Sequence, residues 1–477
     1  MIAGARPIGE SPIRPLRTAP AVRGLAALIA VALAFAGAPA HAQQSRQAGP
    51  PIIRDAEMEQ LLREYSQPIL KAAGLAQQNV RVVIINDRSF NAFVADGHRI
   101  FINSGALMQA NTPNEVIGVL AHETGHLAGG HLARMREELA NASTESLVAM
   151  LLGFGALVAG ARSGGSGAQI GAAALTVPQN AIQNSLIAYI RTQEEQADRA
   201  GVKFLTATGQ SPKGMYDTFK RLADETLYQA HYIDPYLQTH PMPAERVAAL
   251  EDLARTSPYW DKKDSPELQQ RHDLMRAKLY GFMDRADISG NRYTPTDQGL
   301  PARYARAIAA YRFSDPRSAQ AQIDALIAAQ PLNPYFHELK GQALLEAGKA
   351  AEAIAPLRRA VQLAPNPTLI EVLLGQALVE SNDRSHLDEA VSILQAAVAR
   401  DPESSDGFTQ LAIAYGRKGD GAHANLSSAQ AAFTAGDYKT ARLLANRAKV
   451  EFPVGSPGWV KADDIATYKP KTTARSD

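Results

Sequence analysis

The chain has 477 residues, 49 Lys and Arg against 48 Asp and Glu, a formal net charge of +1 and no cysteine. That near-neutral balance gives no support for nucleic acid or an anionic surface as the partner, and without cysteine neither disulfides nor thiolate chemistry is available. The length suffices for two or three domains, each dependent on its own hydrophobic core.

Arg6, Arg14, Arg17 and Arg23 precede an apolar run over 25–35 that leads to Ala40-His41-Ala42. A basic flank, a short apolar core and an A-x-A end predict a secretory signal peptide over 1–42; the run is too short for a comfortable membrane span. Its removal leaves 45 basic residues against 47 acidic. Residues 43–56, polar around Gly49-Pro50-Pro51, are expected to be a flexible lead-in. A helix follows over 58–73, with Leu61, Leu62, Tyr65, Ile69 and Leu70 on one side. Residues 80–85 and 91–95 read as strands, the second turning at Asp96-Gly97 into a third over 99–103. An exposed edge of so small a sheet either holds an extended peptide by main-chain hydrogen bonds or is purely structural; the sequence leaves both open.

Thr112-Pro113-Asn114-Glu115 starts the next helix: Thr112 caps, Pro113 fits the first turn and Glu115 completes a capping box. This helix carries H-E-x-x-H as His122, Glu123 and His126. Residues four apart share a helix face, so both imidazoles reach one metal ion. Glu123, beside the open coordination position, can take a proton from a metal-bound water and return it to a leaving amine. Zinc suits imidazole and carboxylate donors with one position left free. Two surface histidines on an amphipathic helix are the bland alternative. Val116, Ile117, Val119, Leu120 and Ala121 argue against it, since they place His122 and Glu123 in or near a core where polar groups need partners. His131 follows nine residues after His122, about half a turn off the ligand face if the helix continues, and is read as a non-ligand.

Two small, apolar stretches, 146–161 and 168–177, flank the glycine-rich segment 162–167. A buried hairpin, a mobile lid and a membrane-contacting loop all remain open, with the glycine joints favouring a mobile element near the active site. A helix over 186–205 carries Glu194-Glu195-Gln196-Ala197-Asp198. A third metal ligand must come from a helix packed on the first, and either Glu194 or Glu195 can supply it. Glu194 and Asp198 share a face, so Asp198 can accept the outer N–H of a ligand histidine while Glu194 binds the metal.

H-E-T-G-H followed by E-x-x-x-D resembles the HtpX-like gluzincin metallopeptidases, a family that includes CAAX prenyl endopeptidases and mitochondrial Oma-type proteases. Asn91-Ala92-Phe93, Ser104-Gly105-Ala106-Leu107 and Asn114-Glu115-Val116 extend the likeness, as does His131 in the continuation of the helix. The resemblance implies one zinc ion per chain held by His122, His126 and Glu194, with Glu123 as general base and Asp198 behind the ligands. Thr239-His240-Pro241, with Arg246 downstream, looks like the T-H-P-x-x-x-x-R segment of exported members. It implies that His240 fills the open zinc position and restrains activity; on its residues alone, a histidine before proline in a loop is more often a surface or packing residue. Arg246 can instead pair with carboxylates near the site.

Residues 261–300 read as a connector containing a helix with Leu268, Leu274, Leu279 and Phe282. Beyond it the chain becomes alanine-rich, and Gln330-Pro331, Ala364-Pro365 and Asp401-Pro402 recur after 34 and 37 residues. Gly341, Leu344, Gly348, Ala353 and Leu357 fall where a tetratricopeptide repeat places its packing residues, as do Gly375, Leu378, Ala390 and Leu394. Gly419-Asp420 and, after an insertion, Gly436-Asp437-Tyr438 continue the pattern. About four units, including an atypical one at 304–331, would form a curved surface for peptides or partner proteins.

The predicted fold is mainly α: a zincin-like metallopeptidase domain with a small β-sheet over 57–260, then an α-solenoid of tetratricopeptide repeats over 301–460 and a tail over 461–477. With the signal peptide and the repeats, the resemblance implies a periplasmic zinc endopeptidase in quality control and assembly of outer-membrane β-barrel proteins. Unfolded or misassembled outer-membrane proteins are the implied clients. The repeats would contact those clients or the β-barrel assembly machinery, with membrane contact at most peripheral. Two rivals stand beside this reading. An inner-membrane protease of the same family requires true spanning helices, and a non-proteolytic chaperone or adaptor with a blocked metal site would work through its repeats.

Overall fold

The computed structural model describes residues 51–134, 177–228, 236, 240–314 and 316–470. The expected signal peptide, most of the lead-in, the glycine-rich segment before 177 and Thr239 lie outside them.

The chain enters through β1 (Ile52–Ile53) and α1 (Ala56–Ala72), then β2 (Arg81–Ile85), β3 (Ala92–Asp96) and β4 (Arg99–Asn103). The sheet order is β1-β2-β4-β3. β2 and β4 pair in parallel, Val82 opposite Ile100 and Ile84 opposite Ile102. Their β-branched residues suit a sheet covered on one face, and Ile84, Ile100 and Ile102 are fully buried. β1 pairs antiparallel with β2, Ile52 opposite Ile85, so the lead-in expected to be flexible supplies an edge strand. β3 forms the other edge and lies beside the helix that carries H-E-x-x-H.

That helix, α3 (Pro113–Gly129), follows the short α2 (Ser104–Gln109). Its cap forms as the sequence predicts: the Glu115 N–H donates to Thr112 Oγ1 at 3.3 Å. α4 (Val177–Ala207) crosses α3 at Gly125, where a Cβ would lie 2.7 Å from the Ala197 carbonyl oxygen. Only glycine permits that approach. α5 (Lys213–Tyr228) and α6 (Ala244–Arg255) complete the layer around α3 and α4.

α7 (Pro266–Met283) falls in the expected connector, yet it is a shared core helix. Its Met275, Leu279 and Tyr280 join the peptidase-side core with Leu61, Tyr65, Leu107 and Leu120. Its Leu274 packs with Tyr304, Ile308, Ile323 and Phe336 of the repeats. A connector with apolar residues on both sides of a helix buries both. After α8 (Ala286–Arg292), helices stack in antiparallel succession: α9 (Leu300–Phe313), α10 (Pro316–Ala329), α11 (Pro334–Glu346), α12 (Ala350–Leu363), α13 (Thr368–Glu380), α14 (Leu387–Arg400) and α15 (Ser405–Lys418). α16 (Gly421–Thr434), α17 (Tyr438–Glu451) and α18 (Pro457–Thr467) follow. The insertion expected before Gly436 is α16 itself, packed on α15 and α17, and α18 runs through the expected tail boundary at 461. Among the described residues, no helix is long and apolar enough to cross a membrane.

A buried ionic cluster joins the two halves. Lys278 Nζ on α7 lies 2.6 Å from Asp55 Oδ2, 3.4 Å from Glu57 Oε2 and 3.9 Å from Glu338 Oε2 on α11. The Tyr304 hydroxyl donates to Glu57 Oε2 at 2.9 Å. Three carboxylates, Glu57 buried and Asp55 and Glu338 partly so, share one ammonium group, so full ionisation is unfavourable. Burial holds the Glu338 carboxyl well above the usual carboxylate range; Lys278 opposes this, while Asp55 and Glu57 add to it. A carboxyl raised in the folded state contributes stability that is fully present below its unfolded pKa, about 4.3, and lost as pH rises through the folded one. Replacing Glu338 with Gln is therefore expected to raise the melting temperature more at pH 8 than at pH 5. Lys278→Met, which leaves the carboxylates without a counter-ion, should destabilise by about 3–5 kcal/mol in denaturant titration.

Candidate metal centre

α3 brings His122, Glu123 and His126 to its crossing with α4, and α4 answers with Glu194 and Asp198. His122 Nε2 and His126 Nε2 lie 3.0 Å apart. Glu194 Oε2 is 3.4 Å from the first and Oε1 is 3.4 Å from the second. His240, from the segment before α6, puts Nδ1 3.1 Å from both Glu194 oxygens. One donor atom from each of His122, His126, Glu194 and His240 lies within 4.8 Å of the others. Glu195, the other candidate third ligand, is exposed.

Three imidazole nitrogens and a carboxylate converging in a buried space are a donor set for a divalent cation. The surroundings fit that reading. Glu123 is fully buried beside the Tyr236 hydroxyl, and His240 Nε2 stands 3.7 Å from Oε1. A buried carboxylate in that state suits a proton-bearing group such as water beside a cation. Burial is the largest influence on Glu123 and raises its pKa, against the opposing pull of His240 and His122.

The outer atoms are as organised as the inner ones. Asp198 Oδ1 lies 2.9 Å from His122 Nδ1. Arg246 on α6, a residue whose partner the sequence left open, grips Asp198 with two bonds: Nε to Oδ2 at 2.7 Å and Nη2 to Oδ1 at 2.9 Å. Its Nη1 lies 2.8 Å from Glu194 Oε2 and donates to the Pro241 carbonyl at 2.9 Å. One guanidinium therefore ties both acidic residues of α4 to the segment bearing His240. Burial would raise Glu194 and Asp198, but His240 and Arg246 outweigh it at Glu194 and Arg246 does so at Asp198; both are lowered. Tyr236, buried and unforeseen in the sequence, stacks on His240 with ring centroids 4.5 Å apart.

His131 departs from the expected geometry. The helix does not continue: Gly130, at φ 64°, ends α3 in a left-handed turn, and its N–H bonds back to the carbonyls of His126 and Leu127. A new helical turn begins at His131 and lays that ring against His126, outside the four-residue donor cluster. The signal was present in Gly129-Gly130, since a glycine pair after a run of helix is a C-cap.

Two crossing helices that bring an imidazole pair and a carboxylate together beside a buried glutamate form a metal-centre arrangement compatible with a metallopeptidase. Residues 54–254 match the model of Peptidase family M48, and residues 304–366 match that of the Tetratricopeptide repeat. The chain is thus a metalloprotease with an M48 peptidase domain continued by tetratricopeptide repeats. The β-barrel assembly-enhancing protease of Escherichia coli (strain K12) is 26% identical over 375 residues, 76% of this chain and 73% of that protein. A putative β-barrel assembly-enhancing protease of Vibrio cholerae serotype O1 is 28% identical over 295 residues, 60% of this chain and 58% of that one. Metalloprotease LoiP of Escherichia coli (strain K12) is 29% identical over 196 residues, 40% of this chain and 70% of LoiP.

Without metal, burial pulls His122 down, but Asp198 and Glu194 prevail and hold its pKa up at about 9; His126, dominated by burial, falls to about 3. A metal must then displace one proton from His122. Divalent-metal affinity is expected to rise about tenfold per pH unit from pH 6 and to level off near pH 9. Chelator competition across that range checks this, and an affinity flat below pH 8 would contradict it.

Proposed function

We propose that the chain is a periplasmic zinc endopeptidase, held in reserve by its own His240, that acts in quality control and assembly of outer-membrane β-barrel proteins. The observation that carries the reading is the placement of His240 with His122, His126 and Glu194 inside one 4.8 Å set of donors. His122, His126 and Glu194 would hold the ion, and His240 would take the position that water and substrate need. The ion, when bound, polarises the scissile carbonyl and acidifies water. Glu123 takes the water proton and passes it to the leaving amine. Asp198 holds His122 with Nε2 turned to the cluster, and Arg246 neutralises the two carboxylates that would otherwise repel each other. The outer edge of β3, beside α3, is suited to receive an extended substrate as an added strand.

The periplasmic site of action is supported by the basic–apolar–A-x-A start of the chain. The barrel-assembly role is supported by the likeness to a relative named for it across three quarters of the chain. The repeats are the part suited to hold unfolded outer-membrane proteins or the assembly machinery. A blocked site also keeps a second reading in view, a chaperone or adaptor that does not cut.

Zinc content and casein cleavage separate them, using chains that lack residues 1–42. Wild type and Glu123→Gln are each expected to hold about one zinc, with Glu123→Gln slower by about 100-fold or more. His240→Ala should cut several-fold faster than wild type. If zinc is bound yet neither wild type nor His240→Ala cuts, while aggregation of an unfolded outer-membrane protein is still suppressed, the chaperone reading replaces the protease.

A further inference from the structure

The left-handed turn at Gly130 does more than end α3. It returns His131, 3% exposed, to a place where His131 Nδ1 lies 2.9 Å from His126 Nδ1 and His131 Nε2 lies 3.3 Å from Gln196 Oε1 on α4. The two rings meet edge to face, centroids 4.9 Å apart. The ring fits closely over the end of the helix: a Cβ on Gly129 would stand 2.4 Å from His131 Nε2.

Proton bookkeeping gives these contacts a direction. His126 turns Nε2 toward His122 and Glu194, so Nε2 must offer a bare lone pair to a cation. A neutral imidazole carries its proton on one nitrogen, which here must be Nδ1. That N–H needs an acceptor, and the atom facing it is His131 Nδ1. His131 must then carry its own proton on Nε2, where Gln196 Oε1 accepts it. His122 has Asp198 behind it; His126 has this imidazole instead. We propose that His131 is a positioning residue that fixes the tautomer and orientation of His126 for metal binding, with Gln196 setting the direction of the hydrogen bonds. The proposal rests on the metal-site reading above.

The alternative is that His131 only packs the turn, and variants separate the two. Asn at 131 keeps an oxygen at the distance from Cβ that Nδ1 occupies, whereas Leu keeps bulk and offers no acceptor. The expected result is a zinc dissociation constant 10–100-fold weaker for His131→Leu, with His131→Asn within about threefold of wild type. Gly129→Ala, which crowds the His131 ring, should weaken zinc as His131→Leu does. Gln196 is exposed, so changes there do not threaten the fold. Gln196→Glu, which can only accept, should retain affinity, and Gln196→Lys, which can only donate, should weaken it.

The measurements are zinc affinity by chelator competition and the thermal midpoint of each metal-free protein. The proposal is overturned if His131→Leu binds zinc as wild type does. Equal losses in His131→Leu and His131→Asn that track a lowered midpoint, with Gln196→Lys unchanged, also overturn it. Wild type that binds no zinc at all overturns the metal site itself, and this inference with it.

Discussion

The close crossing of α3 and α4 is the constraint on which the site depends. A zinc-type donor set needs atoms within hydrogen-bonding reach of one another, yet two ordinary helices stay 8–10 Å apart at their axes. Gly125 against Ala197 removes the side chain that would hold them off. The bonding pattern repeats on both sides of that contact, with His122 and His126 facing Glu194 and Asp198 standing behind His122. Bulk at position 125 would disturb the donor cluster and its outer partners together.

How much of this was legible depended on whether the information was local. H-E-x-x-H and E-x-x-x-D are single-helix patterns, so helical spacing alone places His122 with His126 and Glu194 with Asp198. The choice between Glu194 and Glu195 was open because it depends on the rotation of α4 against α3, which no single helix encodes. The repeats were legible through their period, since Gly341 against Leu357 and Gly375 against Leu394 recur as the same small-on-large contact. Repeat reading failed at α16, whose sequence departs from the spacing while its helix still stacks on both neighbours.

Other misreadings share a physical cause. Ile52 and Ile53 form a strand only because β2 offers an edge, a partner some thirty residues away. α7 looked like a linker because its apolar residues face two different cores, which blurs the one-sided periodicity of a surface helix. The half-turn offset of His131 holds only for an unbroken helix, and Gly129-Gly130 marks a break; its reading as a non-ligand agrees with its place outside the donor cluster. Arg246 was legible as a cation near acids but not as the clasp between Asp198, Glu194 and Pro241, because three separate segments meet there.

Consider finally α7, whose two faces belong to two cores. A chain of this design has no hinge at the point where one would be sought, and separating the halves would strip apolar surface from both. The distance from any point on the solenoid to the crossing of α3 and α4 is therefore set by packed side chains rather than by linker slack. For a polypeptide anchored on the repeats, such a body acts as a gauge. Any polypeptide held on the repeats would meet that crossing at a length set by the packing of α7 between its two cores.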